Sequence, residues 1–92
     1  ESPTYVLIEK LEALGAKVLY HDPHIPVIRP TREHAKLVGR QSVPIDAPAD
    51  LVLLATAHRS FQSYDFTRLT VPLVDARNCV APSKRPSLNF KA

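Results

Sequence analysis

Residues 51–55 read Leu-Val-Leu-Leu-Ala, five apolar side chains in succession with no polar residue to face water. Alternate residues of a strand point to opposite faces, so a strand with one wet face alternates polar and apolar positions. An unbroken run requires cover on both sides, and strands of that kind belong to parallel sheets, whose crossovers place helices on the faces. The rest of the chain must therefore supply neighbouring strands and the helices that cover them.

The chain alternates accordingly. Ser2-Pro3 is an N-cap with proline at the first helical position, where its missing N–H costs nothing. Val6, Leu7, Leu11 and Leu14 recur at helical steps with Glu9, Lys10 and Glu12 on the other side, so a helix is expected to pack the first set on a sheet and to stop at Gly15. Lys17 to Tyr20 reads as a short strand ended by Asp22-Pro23. From His24 to Pro48 the prolines Pro26, Pro30, Pro44 and Pro48 argue for a loop, with room for about two helical turns over Thr31 to Val38. After the strand Leu51 to Ala55, Ser63 or Asp65 starts a short helix through Leu69, with Tyr64, Phe66 and Leu69 as its apolar contacts. Val71 to Val74 is the next buried strand. Residues 81–92 form a Pro-rich tail whose Leu88 to Lys91 can add an edge strand. The expectation is one α/β domain over residues 1–92, with a Rossmann-like parallel sheet and flanking helices.

Composition narrows the function. Hydrophobic content of 45% with 23% charged residues fits a folded domain rather than a disordered one. A net charge of +3 is modest, and apart from Lys84-Arg85 the basic residues are scattered, which argues for a solvated surface and against nucleic-acid binding. The sequence shows no n-region followed by an h-region and no apolar run of about eighteen residues, so neither a signal peptide nor a membrane span is expected. A single cysteine, Cys79, cannot form an internal disulfide, and a reducing cytoplasm is the expected location. The chain opens on a helix cap and contains no Met, which suggests a piece of a longer protein.

Ligands of open parallel sheets bind beyond the carboxyl ends of the strands. Asp22, Thr56, His58 and Arg77 all follow predicted strands and would share that pole. Arg77 can make paired, charge-assisted bonds to a diphosphate; the alternative is a structural arginine bonded to loop carbonyls or to Asp75. Asp22 occupies the place of a ribose-binding acid or of a turn cap. Thr56 and His58 can touch a ligand or satisfy nearby backbone. Gly15 and Gly39 are the only glycines, so no G-x-G-x-x-G loop exists to cradle a dinucleotide. His21, His24, His34 and Cys79 are possible zinc donors, but their spacing fits no structural site, and no metal is expected.

Four blocks, Glu1-Ser2-Pro3, Tyr20-His21-Asp22-Pro23, Leu51 to Phe61 and Val74-Asp75-Ala76-Arg77-Asn78, resemble in order and spacing the C-terminal nucleotide-binding domain of the UDP-glucose/GDP-mannose 6-dehydrogenase family, from Glu1 to about Asn78. The resemblance implies a UDP-binding part of an NAD-dependent nucleotide-sugar 6-dehydrogenase, with Arg77, in the family's Asp-x-Arg signature, on the nucleotide-sugar. It implies that NAD and the catalytic cysteine belong to an upstream domain, so that Cys79 is not the nucleophile, these 92 residues hold no catalytic residue, and the isolated chain is inactive. It further implies a homo-oligomeric parent. The run Tyr20 to Thr31 is most similar to the UDP-N-acetylhexosamine subgroup, with UDP-N-acetylglucosamine ahead of UDP-N-acetylmannosamine. The family domain opens with a strand that would lie before residue 1, along with a Lys at its exit and an Arg, so either a gap beside Leu51 to Ala55 or its filling by another chain is expected. A non-catalytic α/β module for nucleotide binding or protein interaction is the alternative reading.

Overall fold

The computed structural model describes residues 2–91, with the side chain of Ser2 excepted. The chain divides into two compact units, Glu1–Ala47 and Pro48–Ala92.

The second unit is built on a three-stranded sheet of β1 (Val52–Leu54), β2 (Leu73–Asp75) and β3 (Asn89–Lys91), in the order β1-β2-β3. Both pairings are parallel, with Val52 beside Leu73 and Leu54 beside Asp75, then Leu73 beside Asn89 and Asp75 beside Lys91. With the helices that flank it, this is the expected α/β, Rossmann-like arrangement. Leu54 and Leu73 turn to one face of the sheet and are buried, as are Phe61, Phe66 and Val80. The opposite face is less covered: Leu53 and Val74 are half-buried and Phe90 is exposed. The continuous apolar run therefore overstates the burial of its strand, which is only Val52–Leu54, and Leu51 at its start is 51% exposed. Among the described residues β1 pairs on one edge only.

The helix expected from Ser63 or Asp65 to Leu69 is two pieces, α2 (Arg59–Ser63) and a 3-10 turn, Phe66–Arg68. Tyr64 is extended between them, and the Asp65 carboxylate accepts the Thr67 N–H at 3.1 Å, capping a new turn instead of continuing the old helix. A further 3-10 turn, Pro82–Lys84, leads to β3, so the Pro-rich tail ends as a paired strand of the sheet.

The first unit holds α1 (Ser2–Ala13). Gly15, at φ +99°, closes it: the Ala16 N–H reaches the Leu11 carbonyl at 3.1 Å and the Gly15 N–H the Glu12 carbonyl at 3.0 Å, the paired bonds of a Schellman stop. Lys17 to Tyr20 is not a strand. Among the described residues no ladder forms there, and the Tyr20 carbonyl instead accepts the Val43 N–H at 2.8 Å. The Pro-rich stretch folds back on itself through the Val27 and Gln41 bridge, with the Ile28 N–H on the Arg40 carbonyl at 2.9 Å. The two helical turns expected over Thr31 to Val38 shrink to one 3-10 turn, Ala35–Leu37, which buries Leu37 completely.

The face of α1 that is buried is not the one its apolar stripe suggests. Val6 is 40% exposed and Leu14 86%, whereas Ile8 packs with Ile28 and Leu37, bordered by Tyr5, Val18, Tyr20 and Ile25. Glu9 and Glu12, expected to face water, are engaged by the loop. The His34 Nδ1 donates to Glu9 at 2.8 Å, and the Arg40 guanidinium grips Glu12 with two bonds of 2.6 and 2.9 Å. The Glu12 pKa is lowered, first by the Arg40 hydrogen bond. Three fully or nearly buried aliphatics and two hydrogen-bonded side-chain pairs thus fasten a short helix to a loop that has little regular structure of its own.

Leu37→Ala should cost about 2–5 kcal/mol, the usual range for emptying a buried leucine site, and Val6→Ala should stay within about 0.5 kcal/mol. Urea denaturation of the two variants beside the wild type checks both; equal effects would return the apolar stripe to the core.

Candidate nucleotide-binding site

Because β1 and β2 run parallel as neighbours, their carboxyl ends open side by side. The β1 exit carries Thr56 and His58, and the β2 exit carries Arg77. The structure so brings three of the four expected site residues to one end of one sheet. Thr56 and His58 are half-buried; the His58 ring stands edge-on to Phe61 with centroids 5.3 Å apart, and its carbonyl accepts the Phe61 N–H as α2 begins.

The fourth residue, Asp22, is placed differently. It belongs to the first unit, and with no strand at 17–20 the argument that set it at the end of the same sheet fails. Its carboxylate accepts the His24 N–H at 2.8 Å, and its own N–H donates to the Ser42 hydroxyl at 2.9 Å. That is the turn-capping role, an Asx turn closed on a residue two positions ahead.

The β2 exit loop is determined by Asp75. This residue ends the central strand, is fully inaccessible, and turns its carboxylate into the loop that follows. One oxygen accepts the Val80 N–H at 2.9 Å, and the other is 3.6 Å from the Cys79 Sγ. Burial pushes the Asp75 pKa up, but the Val80, Cys79 and Arg77 N–H groups and the Cys79 thiol outweigh it and leave the carboxyl below its ordinary value. Burial and then the Asp75 charge push the Cys79 thiol up, which disfavours the reactive thiolate.

Further bonds close the turn. The Ala76 N–H reaches the Leu54 carbonyl of β1 at 3.2 Å, and the Asn78 N–H returns to the Asp75 carbonyl at 3.3 Å. Asn78 takes φ +53°, a left-handed conformation that its short polar side chain tolerates. At the far end the Arg85 Nε donates to the Val80 carbonyl at 3.2 Å.

Arg77 stands exposed on this pinned loop. Asp75 is engaged by Val80 and Cys79, so the expected structural alternative, an Arg77 to Asp75 bond, is not made. Among the described residues the ion pairs are Glu9 with His34 and Glu12 with Arg40, and no hydrogen bond holds the Arg77 guanidinium. Sequence reasoning proposed Arg77 as a ligand residue and did not foresee that Asp75 and Arg85 fasten the loop. The signal for the first was available, since Asp75 and Asn78 bracket a turn with the residue types that turns favour. Among the described residues no group of three or more His, Cys, Asp and Glu side chains could hold a metal ion, and no helix is long and apolar enough to cross a membrane.

A parallel three-stranded sheet with its loops opening at the carboxyl end defines an α/β domain of the Rossmann-like kind. The particular family follows from comparison with known proteins. The chain belongs to the UDP-glucose/GDP-mannose dehydrogenase family, and its residues 1–82 match that family's UDP binding domain. It is 31% identical over 101 aligned positions to the UDP-glucose 6-dehydrogenase of Pseudomonas aeruginosa, an alignment covering 98% of this chain and 22% of the relative. The chain therefore spans about a fifth of that relative's length. No solved structure matches it.

Asp75→Ala should cost about 1–3 kcal/mol, because it leaves the Val80 N–H buried without its acceptor. The pH dependence has a fixed sign: a depressed carboxyl adds stability that is full above its ordinary value of 3.8 and is lost as pH falls below that, through the lower folded pKa. Denaturation curves from neutral to acid pH should show Asp75→Asn less stable at neutrality and flatter toward acid. Parallel curves would mean the carboxylate charge is not what holds the loop.

Proposed function

We propose that this chain binds the UDP moiety of a nucleotide-sugar within an NAD-dependent 6-dehydrogenase, with Arg77 on the diphosphate. The observation that carries the reading is the state of Arg77: a guanidinium on a pinned loop at the carboxyl end of the central strand, held by no carboxylate among the described residues. A guanidinium offers a planar fork of donors that matches two phosphate oxygens and stays charged at any working pH. Thr56 and His58, on the neighbouring exit, are placed to add hydroxyl and imidazole contacts.

NAD would be held elsewhere in the enzyme. A dinucleotide needs closely spaced glycines ahead of a helix N-terminus, whereas here Gly15 ends a helix and Gly39 follows a 3-10 turn, so these residues do not fit it. This domain contributes binding and orientation of the substrate nucleotide, and the isolated chain would turn over nothing.

The substrate we propose is a UDP-N-acetylhexosamine, UDP-N-acetylglucosamine before UDP-N-acetylmannosamine, oxidised to its uronic acid. The reading is supported by the run from Tyr20 to Thr31, with its Asp22-Pro23-His24-Ile25-Pro26 and Arg29-Pro30-Thr31. The relative is named for UDP-glucose, so the two sugars are the arms of the test. A cytoplasmic homo-oligomer is part of the same proposal.

In the full-length enzyme, Arg77→Ala should weaken UDP-sugar binding by about 1.5–3 kcal/mol, the range for a hydrogen bond to a charged group, and raise KM roughly ten- to a hundredfold. Arg77→Lys should recover little, since a point charge does not reproduce a bidentate fork. Steady-state NADH formation with UDP-glucose and UDP-N-acetylglucosamine checks both statements; unchanged KM in Arg77→Ala would overturn the assignment.

A further inference from the structure

Past Arg77 the chain encloses a second feature that the reading above does not use. Residues 78–82, Gln62 of α2, Arg85 and Lys91 line an open recess of about 430 Å³, a volume within the range of small-molecule sites. Its position follows from the sheet: one wall is the loop leaving β2, and another is Lys91, the last residue of β3, so the recess lies at the carboxyl end of the two strands. Its charge is one-sided. Arg85 and Lys91 are its ionisable lining residues apart from the Cys79 thiol, and no carboxylate is among them. The Asp75 carboxylate is engaged by the Val80 N–H and the Cys79 thiol.

Arg85 is the informative member. It is half-buried, and its Nε is fixed on the Val80 carbonyl at 3.2 Å, so one donor of the fork sets the orientation of the rest. Among the described residues it has no ion-pair partner, and neither has Lys91. A half-buried guanidinium held in one orientation, beside a second cation and without a counter-charge, is a site short of its anion.

We propose that this recess is a phosphate subsite, with Arg85 and Lys91 as its binding residues. The proposal rests on the nucleotide reading of Arg77 and deepens it: in sequence Arg77 precedes the loop Asn78 to Pro82 and Arg85 and Lys91 follow it, and on this proposal the two sets of cations hold successive phosphates. The phosphate is the terminal one of the uridine diphosphate, or else that of a separate phosphate-bearing ligand.

The test uses the full-length enzyme and competitive inhibition by UDP and by UMP, which differ in the terminal phosphate alone. Lys91→Ala, an exposed side chain, and Arg85→Lys, which keeps the charge but not the fixed fork, are the first variants; Arg85→Ala follows with a thermal melt to verify folding. Each variant should raise the inhibition constant of UDP about five- to tenfold while that of UMP moves less than twofold. If UDP and UMP are unaffected but protection against heat by inorganic phosphate or pyrophosphate is lost, the subsite stands and its phosphate comes from a separate ligand. If neither nucleotide inhibition nor phosphate protection changes in any folded variant, the subsite is refuted. Arg77→Ala in the same series separates the two readings: a raised UDP constant there, with neither UDP inhibition nor phosphate protection changed at Arg85 and Lys91, overturns the subsite alone.

Discussion

A carboxylate with no access to water sits at the end of the central strand, and the shape of the candidate site follows from it. Burying a charge is costly unless hydrogen bonds replace its hydration, and Asp75 has drawn the loop that follows around itself to supply them. The loop cannot relax outward without leaving that charge bare. The Ala76 N–H on β1 and the Arg85 Nε on the Val80 carbonyl tie the two ends of the same loop to their neighbours. Residues 76 to 80 thereby gain the rigidity that a binding loop on a small three-stranded sheet would otherwise lack.

The first unit solves a different problem with weaker means. Its loop has four prolines and few backbone partners, so the hydrophobic set of Ile8, Ile28 and Leu37 is what makes a core at all. The two charged pairs beside it differ in kind. His34 is buried and stands edge-on to Tyr5, with centroids 5.5 Å apart, while its Nδ1 donates to Glu9 in either protonation state. Glu12 and Arg40 are more exposed, and their value is the fixed geometry of a double bond rather than much stability.

The elements that sequence reveals best are those whose signal is local. Gly15 marks the end of a helix because capping is decided within a few residues, and the helix runs Ser2–Ala13, whereas the cap expected at Ser2 lies outside the described side chains. The sheet strands were found within one or two residues of their ends, with β3 in the Pro-rich tail included. What failed were the inferences about partners in the first unit. Lys17 to Tyr20 has the composition of a strand, but a strand exists only in a ladder, and among the described residues none is offered. The apolar stripe of α1 is real in sequence, yet burial is decided by the loop that reaches Ile8, Glu9 and Glu12, and no periodicity within the helix encodes that loop. In the candidate site, what was legible of Arg77 is its place just past a strand of the sheet. Asp75 was read only as a neighbour of that arginine, because the bonds that explain it run to residues whose approach depends on the turn it creates.

Arg40 and Arg77 show the difference between an arginine whose donors are filled and one whose guanidinium stays available. Arg40 has its fork filled by Glu12, and that hydrogen bond raises its pKa; its donors are complete before any ligand arrives. Arg77 is on a loop whose nearest carboxylate, two residues back, is turned inward and satisfied by Val80 and Cys79. Were Asp75 free to swing outward, it would quench the arginine beside it, and an arriving diphosphate would have to displace an ion pair first. Burying the carboxylate therefore does two things at once: it fixes the loop, and it keeps the nearest anion away from the guanidinium. The loop's own negative charge is thus the reason its positive charge remains available, and the two are coupled within one short turn.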